Sequence, residues 1–217
     1  MTNELPFRVL FSALWIIFVV CIIWARYSLR EPKGEPSGHP TVRPERWSYF
    51  VARASLAPLW WAGMILYTLL PSWIVFLSIP LPDWFRLIMV SVTALSIPLT
   101  LWGFLTLGKN WVHVLDPSTF QRRKTATLVT SGPYHYVRHP MYLGAFAFLL
   151  AQALVAASWL ILLPALVTIT LFYTQIGKEE TMLIDRFGDE YREYMKRTPR
   201  IIPRFGHLAR TEEPRPT

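Results

Sequence analysis

The chain reads as an all-α integral membrane protein of about five transmembrane helices, the last two forming a helical hairpin toward the C-terminal end. Three observations carry that expectation. Of 217 residues, 53% are hydrophobic and only 17% charged, against roughly 25% charged in ordinary soluble proteins. Apolar stretches recur at the roughly 20-residue length that a helix needs to cross a bilayer core of about 30 Å. Lys and Arg gather between alternate stretches, as the positive-inside rule requires.

The first three spans fall near Phe7–Tyr27, Leu56–Ile79 and Trp84–Leu107. Met141 to Ile176 is then apolar for 36 residues, about 54 Å as one helix, which would overshoot the membrane. A tight turn near Ala157–Ser158 divides it into crossings at 141–157 and 160–177. The flank CIIWARYSLR lacks a small-x-small cleavage pattern, so the first span reads as a retained helix and not a signal peptide. Cys21 is the sole cysteine and reads as a packing residue. REPKGEPSGHPTVRPERW, rich in Pro and Gly, reads as an irregular loop. The length fits a single domain, 1–217.

Of the 22 Lys and Arg residues, 20 lie in three segments: Arg26–Arg53, Lys109–Arg138 and the tail from Lys178. These are the expected cytoplasmic segments, so the N-terminus faces out and the C-terminus in. The opposite side keeps Arg8 and Arg86. Basic loops beside anionic headgroups account for the net charge of +8 and leave no call for nucleic acid as a partner. The loop before the fourth span alternates apolar and polar residues around Trp111, Val114, Leu128 and Val129, a character suited to folding back over the bundle. In the tail, Leu183, Phe187, Tyr191 and Tyr194 stand at helical spacing. They predict an amphipathic extension of the fifth span ending before Pro199 and weakened locally at Gly188.

Candidate chemistry concentrates in Gly132–Gly144, GPYHYVRHPMYLG. Ionisable side chains at a membrane boundary are expensive and mark substrate or cofactor paths. No two glycines are spaced as GxG, so there is no Rossmann fingerprint or P-loop. His135 and His139 stand four apart, a spacing that binds metal from one helical face, but no Cys or third His lies near and no metal is expected. Pro140 suits the first turn of a helix, whose free amides near Met141 and Tyr142 favour a carboxylate or phosphate. Arg138, His139, Tyr134 and Tyr142 would surround that group; an interfacial aromatic belt with a snorkelling arginine is the plainer alternative. Glu179 and Glu180 close the fifth span at the same level. An anion site, aromatic faces and a carboxylate together suit a zwitterion with an extra cationic centre, the charge pattern of S-adenosylmethionine, whose sulfonium gains about 0.5–2 kcal/mol from an aromatic face.

GPYHYVRHPMYLG followed by EETMLIDRFGDEYREYMKRTPRIIP closely resembles the isoprenylcysteine carboxyl methyltransferase family and its phospholipid methyltransferase relatives. The resemblance covers Leu107 to Pro203, expected to be the catalytic core, and implies S-adenosylmethionine as cofactor in a cytoplasmic pocket. It places Ala126, Thr127, Leu128, Val129, Tyr134, His139, Pro140, Met141, Tyr142 and Glu179 against the cofactor. Eukaryotic prenylcysteine enzymes carry an arginine near the lipid substrate four residues before that glutamate; this chain has Gln175 there.

The reaction so implied is methyl transfer to a lipophilic small-molecule or lipidated acceptor entering from the membrane lipids, foremost carboxyl O-methylation. Arg138 and Gln175 are the expected acceptor-side residues, and Arg138 and Glu179 the catalytic ones. A carboxylate acceptor needs no base; an amine acceptor would need Glu179 or His139 to take its proton. NADPH-dependent sterol-type reductases share the RHPxYxG element, but tend to carry Asn and an acidic residue where this chain has Met141 and Ala145. The membrane is expected to be the plasma membrane in a prokaryote and the endoplasmic reticulum in a eukaryote.

Overall fold

A computed structural model describes residues 4–28, 60–70, 72, 75–108 and 127–203. These residues are helical apart from connecting turns and one isolated bridge between Ser78 and Ser158. The long helices are α1 (Glu4–Ser28), α3 (Asp83–Leu107), α5 (Pro140–Ala156) and α6 (Trp159–Phe187). Shorter ones are α2 (60–69), α4 (Pro133–Tyr136) and α7 (Asp189–Arg197). The Pro/Gly-rich loop, most of the loop before the motif and Ala126 lie outside the described residues.

Among the described residues, three helices, α1, α3 and α6, are long and apolar enough to cross a membrane, and α5 is a shorter apolar helix of 17 residues. Apolar side chains such as Ile16, Val20 and Ile23 on α1 and Leu95 on α3 are exposed, as lipid-facing positions must be when the surroundings are themselves apolar. The expected second span is described only as α2, and a 3₁₀ turn at Val75–Leu77 follows in place of further α-helix. The fifth span continues as the predicted helical extension to Phe187, and α7 carries helix on to Arg197, before Pro199. Gly188 does more than weaken that helix: at φ 56° it stops α6 and opens α7 in a new direction.

The hairpin turn falls where the apolar length required it. Ala157 takes the left-handed conformation (φ 48°, ψ 48°) after α5, and Ser158 precedes α6. The Ile79 amide donates to the Ala157 carbonyl at 2.6 Å, tying the turn to the connection before α3.

α3 and α5 form the closest pair in the bundle. Thr93, Ser96, Thr100 and Gly103 make a buried small-residue stripe on α3, the kind of face that lets helix backbones approach in a membrane. A Cβ on Gly144 of α5 would run into Thr100 Oγ1 and stand 2.9 Å from the Thr100 amide nitrogen. A Cβ on Gly103 would stand 2.6 Å from Met141 Cγ. The stripe's hydroxyls bond within their own helix, Thr100 Oγ1 to the Ser96 carbonyl at 2.8 Å and Ser96 Oγ to the Thr93 carbonyl at 2.6 Å.

At the hairpin end, Arg86, near the start of the third span, is buried among helices. Its guanidinium donates to both Glu4 carboxylate oxygens at 2.8 Å, to the Val155 carbonyl at 3.0 Å and to the Tyr67 hydroxyl at 3.3 Å. It also lies 3.8 Å over the Phe7 ring, so α1, α2, α3 and α5 meet on one cation. Gln152 adds a link from α5 to the Phe11 carbonyl of α1 at 3.1 Å.

Candidate functional site

The motif stands at the other end of the bundle, where α3 and α6 finish and α5 begins. Pro133 and Tyr134 of α4 are buried, and the Tyr134 hydroxyl lies 3.4 Å from the Gly103 carbonyl. Pro140 is the first residue of α5, as the sequence predicts, with His139 preceding it. The Met141 nitrogen would stand 3.3 Å from a Cβ on Gly103, so the first turn of α5 packs closely against α3.

Glu180 organises this end. Arg138 donates to its Oε1 through Nε at 3.0 Å and Nη2 at 2.8 Å, and His139 Nε2 lies 3.3 Å from the same oxygen. Arg200 reaches the other oxygen from beyond α7. The Glu180 side chain is only 4% exposed, and a carboxylate so enclosed keeps its charge by being surrounded with donors.

Arg138 is bound on every side. Besides Glu180, its Nη1 donates to the Met195 carbonyl at 3.1 Å and the Thr198 carbonyl at 2.6 Å. The backbone follows suit: the Arg138 amide donates to the Pro199 carbonyl at 2.9 Å and the His139 amide to the Arg200 carbonyl at 3.1 Å. Residues 198–200 thus form a strap across the motif. α7 sits beneath it, with the Tyr194 hydroxyl donating to the Tyr134 carbonyl at 2.6 Å. Burial raises the Tyr194 phenol above its ordinary pKa and does the same to Tyr191; for Tyr134 the nearby Glu179 adds to the effect.

Glu179, the preceding residue of α6, is turned about 100° from Glu180. It is enclosed beside His139 and Tyr142, and its Oε2 has no hydrogen-bond partner. The Tyr142 ring makes contacts with His139 at 5.8 Å, Phe146 at 5.8 Å and Phe172 at 6.3 Å between centroids. An enclosed carboxyl oxygen walled by aromatic rings is a place for a cationic group.

The structure therefore brings Tyr134, Arg138, His139, Pro140, Met141, Tyr142 and Glu179 to one end of the bundle. Gln175 is buried one turn before Glu179 on α6. Thr127, Leu128 and Val129 lie in non-helical chain leading to α4, Thr127 exposed and the other two half-buried. His135 is exposed while His139 is buried, so the pair does not converge, and no metal-ligating cluster occurs among the described residues. Sequence reasoning missed the different orientations of the adjacent glutamates and missed Arg200 altogether. The first was foreshadowed by helix geometry, since neighbours on a helix point about 100° apart; the second had no local signal.

Residues 86–185 match the sequence pattern of the isoprenylcysteine carboxyl methyltransferase (ICMT) family. The protein-S-isoprenylcysteine O-methyltransferase of Schizosaccharomyces pombe is 37% identical over 97 residues, 44% of this chain and 40% of that protein. The human enzyme of the same name is 35% identical over 99 residues, 45% and 34% of the two chains. Methanethiol S-methyltransferase 1 of Bradyrhizobium diazoefficiens is 43% identical over 70 residues, 32% and 24%. The chain thus spans less than half the length of these relatives. The solved structure of the eukaryotic intramembrane Ras methyltransferase ICMT superposes with a TM-score of 0.60 at 22% identity, over 89% of this chain and 64% of that one. The fold is shared across most of the chain, and residues 86–185, which bear the motif and both glutamates, match the isoprenylcysteine carboxyl methyltransferase family.

Proposed function

We propose that the protein is an S-adenosylmethionine-dependent integral membrane methyltransferase acting on a lipophilic acceptor, with carboxyl O-methylation of the isoprenylcysteine type as its reaction. Its catalytic core is the stretch from about Leu107 to Pro203, in a five-span single domain with the site on the cytoplasmic side. The observation that carries the reading is Glu179, an enclosed carboxyl oxygen without a partner inside the segment that matches the family.

The residues fit the cofactor's chemistry. The unpartnered Glu179 oxygen suits a cationic centre, and the rings of Tyr134, Tyr142 and Phe172 suit a sulfonium. The first turn of α5 after His139 and Pro140 suits a carboxylate. Ala126, Thr127, Leu128, Val129 and Met141 complete the proposed cofactor contacts. When bound, S-adenosylmethionine supplies the electrophilic methyl group.

Arg138 acts in this scheme as a brace. With Glu180 and two carbonyls holding it, it fixes His139 and the start of α5 and does not itself reach for the acceptor. Gln175 lines the acceptor side one turn from Glu179. A carboxylate acceptor needs no general base, and a dry, aligned site favours a step in which opposite charges neutralise.

The test is direct binding of S-adenosylmethionine and S-adenosylhomocysteine to the detergent-purified protein, with NADPH titrated in parallel and Glu179→Gln as control. Saturable adenosyl binding, weakened about tenfold or more by loss of the charged contact, is the expected result. Binding of NADPH alone would transfer the site to a reductase.

A further inference from the structure

Glu179 and Glu180 are neighbours on α6, yet only Glu180 has its charge answered. It accepts from Arg138, from Arg200 and from His139 Nε2. Burial works against its ionised form, but the bonds from His139, Arg200 and Arg138 outweigh it and bring the carboxyl down to about 2. Glu179 has no such shell. Its Oε2 is out of contact with solvent and takes no hydrogen bond, and none of the ion pairs formed by Arg138, His139 and Arg200 reaches it. Three groups act on it: His139 and the Tyr142 hydroxyl favour its charge, and Glu180 opposes it.

Among the described residues no guanidinium or ammonium is paired with Glu179. Arg138 of the motif is committed to Glu180 and to the Met195 and Thr198 carbonyls, and Arg200 of the strap reaches Glu180. His139 gives its Nε2 to Glu180 as well, and Lys178, the residue before Glu179, is exposed. Tyr134 of α4 and Tyr191 of α7 also sense Glu179, but burial raises both phenols and keeps them neutral at ordinary pH. Burial likewise raises the Glu179 carboxyl above its ordinary range; His139 and Tyr142 pull it back, and Glu180 adds to the rise. A carboxylate enclosed without a paired cation is expensive, and the group takes up a proton instead. A cation arriving within about 4–6 Å reverses that preference.

We propose that Glu179 is a proton-exchanging residue: a carboxylic acid in the free protein, it gives up its proton when a cationic ligand group takes position beside it. The carboxyl O–H bond breaks, its electron pair stays on the carboxylate, and the proton passes to bulk water. One positive charge leaves as another arrives, so the enclosed region never holds an unpaired ion in either state. This deepens the methyltransferase reading and rests on it for the identity of the cation. Capture of a cationic ligand then competes with protons, whereas capture of a neutral adenosyl compound does not. Because binding releases a proton, affinity for the cation rises about tenfold per pH unit while Glu179 holds its proton, and levels off once the free protein has lost it. Selectivity for the charged ligand thus increases with pH.

Two measurements on the full chain in maltoside micelles, whose detergent carries no carbonyl, test the exchange. Infrared difference spectra of the free protein, wild type against Glu179→Gln, should show a protonated carboxyl band that shifts in deuterium oxide and titrates above the ordinary glutamate value of about 4.3. A midpoint at or below that value overturns the proposal whether or not any ligand binds. Calorimetry of S-adenosylmethionine binding in buffers of different ionisation enthalpy then counts protons. Below the infrared midpoint, wild type should release about one more proton per ligand than Glu179→Gln. 5′-Methylthioadenosine, which carries neither sulfonium nor ammonium, should release none from either protein, and its binding to the variant shows an intact site. Equal proton counts for the two ligands in wild type, or for S-adenosylmethionine in wild type and variant, overturn the exchange alone. Failure of wild type to bind S-adenosylmethionine would sink the methyltransferase reading and the exchange with it.

Discussion

Replacing Glu180 with alanine should unfasten the C-terminal strap while leaving the membrane helices in place. Glu180 is 4% exposed and accepts from Arg138 at 3.0 and 2.8 Å, from Arg200 and from His139. Its removal leaves the 9%-exposed Arg138 guanidinium facing a void, and an uncompensated buried charge costs about 3–5 kcal/mol. Arg200 is 38% exposed and rehydrates, so it adds little. The penalty falls on residues 198–200, whose carbonyls receive the amides of Arg138 and His139. Hydrogen exchange at those two amides should therefore accelerate roughly a hundredfold to a thousandfold. Glu179→Gln is the matched control: it keeps the side-chain volume and its Oε2 takes no bond from the strap, and exchange should change by no more than about threefold. Equal protection in wild type and Glu180→Ala, or equal loosening in both variants, would refute the assignment of the bracing role to Glu180.

The α3–α5 contact gives a second contrast. Gly144→Ala should destabilise the bundle by about 1–3 kcal/mol or more, because the added methyl meets Thr100 hydroxyl and backbone, whereas Gly103→Ala meets the flexible end of Met141 and should cost less; denaturant titration in micelles orders the two. A third expectation concerns alkaline pH. Burial raises the phenols of Tyr134, Tyr191 and Tyr194, so their contribution to stability is complete below the unfolded value of about 10 and declines as pH rises from there toward the higher folded values. Tyr194→Phe removes the bond to the Tyr134 carbonyl, should cost about 1 kcal/mol at neutral pH, and should blunt the alkaline loss seen by circular dichroism.

Much of the architecture is written in local pattern. α1, α3 and α5 start within three residues of their expected positions because apolar length and a proline at a first turn are local quantities. The hairpin at Ala157–Ser158 followed from length alone, since 36 apolar residues exceed one crossing. The helical extension past the fifth span was equally local, marked by Leu183, Phe187, Tyr191 and Tyr194, with Gly188 as the break between α6 and α7. The motif located the candidate site, and helical spacing placed Tyr191 and Tyr194 on a buried face. Charge assignments were the least legible. Arg86 carries no local sign of its partner, since Glu4 lies 82 residues earlier. Arg138 looks free until the Thr198 carbonyl, 60 residues later, receives it.

The strap has a consequence for how the protein is made. Its partners in the motif, Arg138 and His139, leave the ribosome some 60 residues before Pro199 and Arg200 do. Folding begins from the N-terminal side as synthesis proceeds, so the helices enter the bilayer while Arg138 and Glu180 still lack part of their shell. The motif end is completed only when the last of these residues emerges. A chain stopped short of Thr198 would be inserted, helical and held at its hairpin end by Arg86 and Glu4, yet lack the brace over its motif. Translation order thus keeps the site incomplete in every nascent chain that has not yet reached the strap.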